Sequence, residues 1–225
     1  MPNKIQFYRF RTPQTVSNIL AEKIKNALGD KQEVLWLVSG GSATEIAAKS
    51  AEYLAGQDLS GLSVSLVDER YGPTGHKDSN WQQLMDGGFE LNEANVYPIL
   101  RDVDLEETTD VFNKFVVRWL ETDSYKIALL GLGADGHTAG ILPHSPIVGA
   151  SQLAASYQGP DYQRISLTPY GLSRFDEAMV FAEGESKRRA LENLAKNLSE
   201  AEQPAQIIKR IPKAAVYNDL LGEQI

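Results

Sequence analysis

The chain has 225 residues, 42% of them hydrophobic and 23% charged, which is enough apolar content to bury a full core without staples. Thirty acidic residues against 22 basic ones give a net charge of −8. That balance excludes broad electrostatic capture of nucleic acid but leaves room for a small phosphorylated ligand held by a few placed cations. The absence of cysteine excludes disulfides, cysteine–zinc sites and thiol nucleophiles.

The opening MPNKIQFYRF lacks the apolar centre of a signal peptide, and no apolar run is long enough to span a bilayer. The expectation is a cytoplasmic protein with no membrane partner. Apolar positions at helical spacing predict a helix over 15–28, stopped by Gly29-Asp30. VLWLV (Val34–Val38) reads as a strand buried on both faces. SGGSAT follows at once and leads into an alanine-rich helix over 45–55. LSVSLV at 62–67 is a second strand, ending in Asp68-Glu69-Arg70 and a polar loop to Asn80 in which His76 is expected to be solvated. A short helix includes residues 81–85, VYPIL near Val96 suggests another strand, and Leu105–Leu120 has helical period with Phe112, Phe115, Val116 and Trp119 on one face. KIALLGLG at 126–133 is the clearest strand and runs into ADGHTAGILPHSP. Further strands are expected at RISL (164–167), 179–182 and 214–217, with a helix start at Thr168-Pro169 and a helix over 185–198. Strands alternating with helices predict one α/β domain over 1–225: a three-layer, Rossmann-like fold whose mainly parallel sheet is covered by helices on both faces.

Four clusters carry chemistry. Ser39-Gly40-Gly41-Ser42-Ala43-Thr44 joins a strand to a helix; its glycines let the backbone approach a ligand, and the free N–H groups of the following helix, helped by the Ser42 and Thr44 hydroxyls, suit an anion, while a plain strand-to-helix turn capped by Ser42 or Thr44 is an equal reading. It matches neither the Walker loop nor GxGxxG. Asp68 and Arg70 stand at a strand's carboxyl end, where open α/β sheets place ligands, although an isolated DER also suits a salt-bridged surface turn. Asp135 and His137 lie two residues apart after a buried strand; a neutral imidazole takes a proton from water near neutral pH, and a carboxylate fixes its tautomer. Arg164 and Lys187 are cations, Lys187 near a helix N-terminus that disfavours it unless Glu183, Glu185 or an anionic ligand compensates.

VSGGSATE, VDERYGP with its later DSN, GLGADGHTAGILPHSP, RISLT and GESKRRAL occur in the order of the 6-phosphogluconolactonase family, which the chain resembles from about Val34 to Tyr217. The resemblance implies the Rossmann-like fold shared with glucosamine-6-phosphate deaminase. It implies hydrolysis of 6-phospho-D-glucono-1,5-lactone in the pentose phosphate pathway, with no metal or other cofactor. The matching positions make His137 the base with Asp135 beside it; Gly40, Gly41, Ser42, Arg164 and Lys187 the sugar-phosphate site; and Asp68 and Arg70 walls of the pocket. Tyr71-Gly72-Pro73 departs from the family's apolar residue before proline, and His144 from its glycine. Two other readings compete. A deaminase carries a glutamate five residues after the histidine, where this chain has Leu142, and DEY where it has Asp68-Glu69-Arg70. A sugar-phosphate sensor would not need Asp135 and His137. The expected partner is a free sugar phosphate, for a monomer or small homo-oligomer.

Overall fold

The computed structural model describes residues 5–225, so the first four residues of the MPNKIQFYRF stretch lie outside the described residues. The main sheet contains β1 (Gln6–Arg9), β2 (Val34–Val38), β3 (Leu62–Leu66), β5 (Asn95–Val96), β6 (Tyr125–Gly131), β9 (Glu177–Ala182), β10 (Lys213–Asn218) and β11 (Glu223–Gln224). Their spatial order is β11-β1-β10-β9-β6-β2-β3-β5, and every pairing is parallel. A second, antiparallel sheet of order β4-β8-β7 joins β4 (Asp68–Arg70), β7 (Ala154–Gln158) and β8 (Gln163–Leu167).

The helices are α1 (Pro13–Gly29), α2 (Ala43–Leu54), α3 (Asn80–Asp86), α4 (Leu105–Leu120), α5 (Pro169–Leu172) and α6 (Arg188–Leu194). The chain steps one way across the sheet through α1 and α2 and returns the other way through α4 and α6. Right-handed crossovers therefore place the two sets on opposite faces, and α1 and α2 pack on each other. The central strands β2, β3, β6 and β9 are buried along almost their whole length because both faces are covered, and Ser63 and Ser65 are the polar residues of β3. Trp36, Leu35 and Leu37 of β2 are fully buried.

The direction of travel reverses between β2 and β6, which are hydrogen-bonded neighbours. Their carboxyl ends carry Ser39 to Thr44 and the ADGHTAG turn, and β3 and β9 end at the same edge with Asp68 and with Glu183 to Lys187. Doubly wound sheets place their ligand crevice at this switch point.

Several expectations change. RISL lies in β8 of the small antiparallel sheet, outside the parallel one, and DER is itself a strand of that sheet, β4. Of VYPIL only Val96 is strand: the Tyr97 N–H still donates to the Val64 carbonyl at 2.8 Å, and Pro98 has no N–H to carry the ladder further. The helix expected over 185–198 begins as a 3-10 turn, Glu185–Lys187, and is α-helical only over Arg188–Leu194. His76 is half-buried, its Nε2 2.9 Å from the Arg70 carbonyl, and its ring fills the space a side chain on Gly72 would need.

Candidate active site

The turn after β6 is tied at every step. The Gly133 N–H donates to the His137 carbonyl at 2.8 Å, and the Gly136 N–H to the Gly133 carbonyl at 2.9 Å. The Thr138 hydroxyl reaches back to the Gly131 carbonyl at 2.8 Å. This folds Asp135 and His137 over Gly133, where a β-carbon would stand 2.1 Å from His137 Nδ1 and 2.5 Å from Asp135 Oδ1. The small sheet holds the far side: Tyr157 donates its hydroxyl to the Gly140 carbonyl at 2.7 Å, and the Gly140 N–H donates to Ser166 Oγ at 3.1 Å. Gly140 has no room for a side chain between the Cβ atoms of Ser166 and Asp68.

Asp135 Oδ1 lies 2.6 Å from His137 Nδ1 and also accepts the His137 N–H at 3.1 Å. A carboxylate only accepts, so Nδ1 carries the proton and Nε2 is left as the basic nitrogen. Nε2 has no partner among the described residues. Partial burial raises the Asp135 pKa, but the His137 N–H and the imidazole's charge lower it more, and the net shift is downward. The carboxylate stays ionised and keeps the imidazole oriented.

Asp68 and Glu69 do not form a surface turn: they are 4% and 0% exposed. Burial pushes the Asp68 carboxyl up, against the opposing pull of Arg70, Arg164, His137 and an Asn80 hydrogen bond. The Asn80 Nδ2 donates to the Asp68 carbonyl at 3.0 Å and to its carboxylate at 3.2 Å. Glu69 accepts from the N–H groups of Arg70, Asn80 and Trp81 and from the Ser79 hydroxyl, between 2.6 and 3.1 Å. It anchors the start of α3, and burial raises its pKa over the counter-effect of those bonds.

Arg70 and Arg164 are direct cross-strand partners. Their guanidinium carbons lie 5.7 and 5.8 Å from the centroid of one ring, Tyr162. Like charges directly opposite each other repel, and the ring face offsets part of that. Arg70 Nη1 donates to the Asp78 carbonyl at 2.9 Å, while Nε of both arginines is buried without a partner. Two crowded cations with unused donors are suited to an anion.

Gly41 has φ +66°, which requires glycine at the mouth of the α2 turn, and Gly40 lies against the Asn80 side chain. Ser42 makes no capping hydrogen bond, and Thr44 gives its hydroxyl proton to the Gly41 carbonyl at 2.8 Å. The hydroxyls therefore leave the first amides of α2 uncapped. Lys187 sits at the N-cap of α6, half-exposed, with no ion pair among the described residues. Glu185 pairs with Arg188 instead, so the carboxylate nearest in sequence does not neutralise Lys187.

The strand ends thus bring Gly40, Gly41, Ser42, Asp68, Asp135 and His137 to one edge, with Arg70 and Arg164 in the small sheet beside it and Lys187 after β9. Tyr162 and Tyr157 are participants that sequence reasoning does not single out, and Asn80 is the last residue of the quoted DSN, with no role attached to it there. The NWQ after DS was readable as a helix start, but nothing marks its asparagine as a carboxylate partner.

Fold and site together define a doubly wound α/β protein whose polar residues gather around the switch point. The chain belongs to the glucosamine-6-phosphate isomerase/6-phosphogluconolactonase family, whose pattern matches residues 11–217. It is 29% identical over 196 residues to the 6-phosphogluconolactonase of Neisseria meningitidis, covering 81% of this chain and 83% of that one. Its fold is similar to the crystal structure of a 6-phosphogluconolactonase from Shewanella baltica OS155, with TM-score 0.81, 17% identity and coverage of 97% and 99%. A monomeric glucosamine-6-phosphate deaminase is nearly as similar in structure, at TM-score 0.80, 17% identity and coverage of 96% and 98%. The fold therefore does not choose between the two activities; the site has to.

Proposed function

We propose that the protein hydrolyses 6-phospho-D-glucono-1,5-lactone to 6-phospho-D-gluconate, with residues 1–225 acting as one sugar-phosphate-binding unit in the cytoplasm. The observation that carries this reading is the 2.6 Å Asp135–His137 pair at the switch point, with Nε2 open. His137 Nε2 takes a proton from water as the water oxygen attacks the lactone carbonyl carbon. The tetrahedral intermediate collapses, the ring ester bond breaks, and the departing ring oxygen receives that proton. The products are a carboxylate and a hydroxyl group, so atoms and charge balance with the carboxylic acid's proton released to solvent.

The remote phosphate holds the carbonyl in register. Lys187, Arg164 and the backbone amides of Gly40, Gly41 and Ser42, just before α2, supply the positive field, while Asp68 and Arg70 bound the sugar. The 6-phosphogluconolactonase relatives support the activity, and the lack of an ion pair on Lys187 among the described residues supports its place at the phosphate.

A ring-opening deaminase reading meets Leu142 at the position where the resemblance calls for a glutamate, and an alkyl side chain transfers no proton. A stopped-flow assay on fresh lactone, corrected for spontaneous hydrolysis, tests the proposal. His137→Ala is expected to lose about 10²- to 10⁴-fold in kcat, the usual worth of a general base. Near wild-type turnover by His137→Ala would sink the mechanism, and ammonia release from glucosamine 6-phosphate would move the assignment to the deaminase.

A further inference from the structure

Gly136, the residue between Asp135 and His137, has φ +87°, and a β-carbon on it would lie 2.5 Å from Gln203 Cγ. The glycine thus admits the flat stem of Gln203 against the backbone of the catalytic turn. The contact is locked from both sides: the Ala205 N–H donates to the Gly136 carbonyl at 3.0 Å, and the His144 N–H donates to the Ala201 carbonyl at 2.8 Å. Gln203 is only 2% exposed.

The other end of Gln203 leads to α6. Its Nε2 donates to the Ala190 carbonyl at 2.8 Å, one turn past Lys187. Two more rungs repeat the pattern: Gln206 Nε2 donates to the Asn193 carbonyl at 2.9 Å, and Lys209 Nζ to the Lys196 carbonyl at 2.5 Å. Each donor stands 13 residues after its acceptor. The register follows from the helix type, since Pro204–Arg210 is a 3-10 helix in which side chains three apart lie on one face. The rungs are also joined laterally, Gln206 Nε2 to Gln203 Oε1 at 2.9 Å and Lys209 Nζ to Gln206 Oε1 at 2.6 Å.

We propose that Gln203 is a positioning residue that fixes the Lys187 end of α6 relative to the Asp135–His137 turn. The proposal rests on the reading of Lys187 as a phosphate anchor and His137 as the base. A buried side chain that only filled space would not need to touch the catalytic glycine and the first turn of α6 at once. Lysine and base must hold the same substrate at two points, so an error in their separation costs binding or alignment.

The test uses Gln203→Met, which keeps the stem on Gly136 but cannot donate to Ala190. Lys209→Met, at the far rung, is the control for generic destabilisation. Gln203→Met is expected to raise KM about 5- to 20-fold with kcat changed less than threefold, the size expected for loss of one buried hydrogen bond acting on ground-state binding. Lys209→Met should leave KM within twofold, and in a Lys187→Ala background the KM effect of Gln203→Met should vanish. Should Gln203→Met fail to fold, Gln203→Leu keeps an apolar stem against Gly136 while losing the donor, and the same KM increase is expected. If the Lys187 and Gln203 effects multiply independently, or Lys209→Met matches Gln203→Met, the positioning role is overturned while the anchor stands. An unchanged KM for Lys187→Ala alone overturns the anchor, and with it the coupling.

Discussion

His144 shows how one backbone angle records a residue's history. Its φ is 58°, in the left-handed region, and its amide is held to the Ala201 carbonyl at 2.8 Å. The family resemblance puts glycine at this place, and the angle explains why: a β-carbon in that conformation costs about 1–2 kcal/mol. Glycine gives part of that back through the larger entropy of its unfolded chain, about 0.5–1 kcal/mol. His144→Gly is therefore expected to stabilise the protein by about 0.5–1 kcal/mol, or roughly 1–4 °C in Tm for a chain of this size. Differential scanning calorimetry checks this. An unchanged or lower Tm would mean that the exposed imidazole recovers the strain elsewhere, and Glu202, whose carboxyl feels its charge, is the neighbour to examine.

Elements decide which residues act together, and here the small sheet does so for the two arginines. In the sequence Arg70 and Arg164 stand 94 positions apart and read as a pocket wall and a phosphate ligand; the β4–β8 pairing makes them direct opposites sharing Tyr162. Arg70→Gln and Arg164→Gln should each raise KM about 10- to 100-fold, since a hydrogen bond to a charged group is worth about 1.5–3 kcal/mol. Each removal also relieves repulsion in the pair, so the double variant should lose clearly less than the product of the single effects, as expected for groups in contact. A strict product in steady-state kinetics would show that they serve separate parts of the ligand.

What could be read in advance follows the range of the interactions. VLWLV announced a central strand as an uninterrupted apolar run buried on both faces, and LSVSLV and KIALLG did so as short, mostly apolar runs of strand-forming length. Leu105–Leu120 announced α4 through its period, and Asp104 caps it by accepting the Glu107 N–H. The dyad was legible because two residues of one tight turn carry it. The antiparallel sheet was not legible, since β7 (AASYQ) has only a mixed burial pattern and β4 joins the sheet through β8, far along the chain. β1 and β11 were missed because both are short strands whose partners lie at the other end of the chain. Gln203 carries no motif, and its role exists only where the 3-10 helix meets α6 and the catalytic turn.

At the scale of the whole molecule, the site sets a limit on stability. Asp68 is buried beneath the switch point, and burial holds its pKa above the ordinary 3.8 despite two arginines and His137. A carboxyl whose folded pKa is raised binds its proton more tightly in the native state. Its stabilising contribution is full below pH 3.8 and is lost as pH rises through the higher folded value. Above that folded value the fold carries a buried charge. Asp68→Asn removes that charge while keeping shape and a partner for Asn80. It is expected to raise stability at pH 7.5 by about 1 kcal/mol, the usual yield of relieving a strained functional site, with a large loss of lactone hydrolysis. The gain should shrink as pH is lowered through the raised folded pKa, where wild-type Asp68 takes up its own proton. Glu69 separates burial from charge: its pKa is also raised, yet its carboxylate accepts four hydrogen bonds at the start of α3. Glu69→Gln turns an amide toward those donors and should destabilise at every pH, by about 1–3 kcal/mol. Thermal unfolding of both variants between pH 4 and 7.5 decides the matter. A pH-independent difference between Asp68→Asn and wild type would place the effect in packing and remove the electrostatic account.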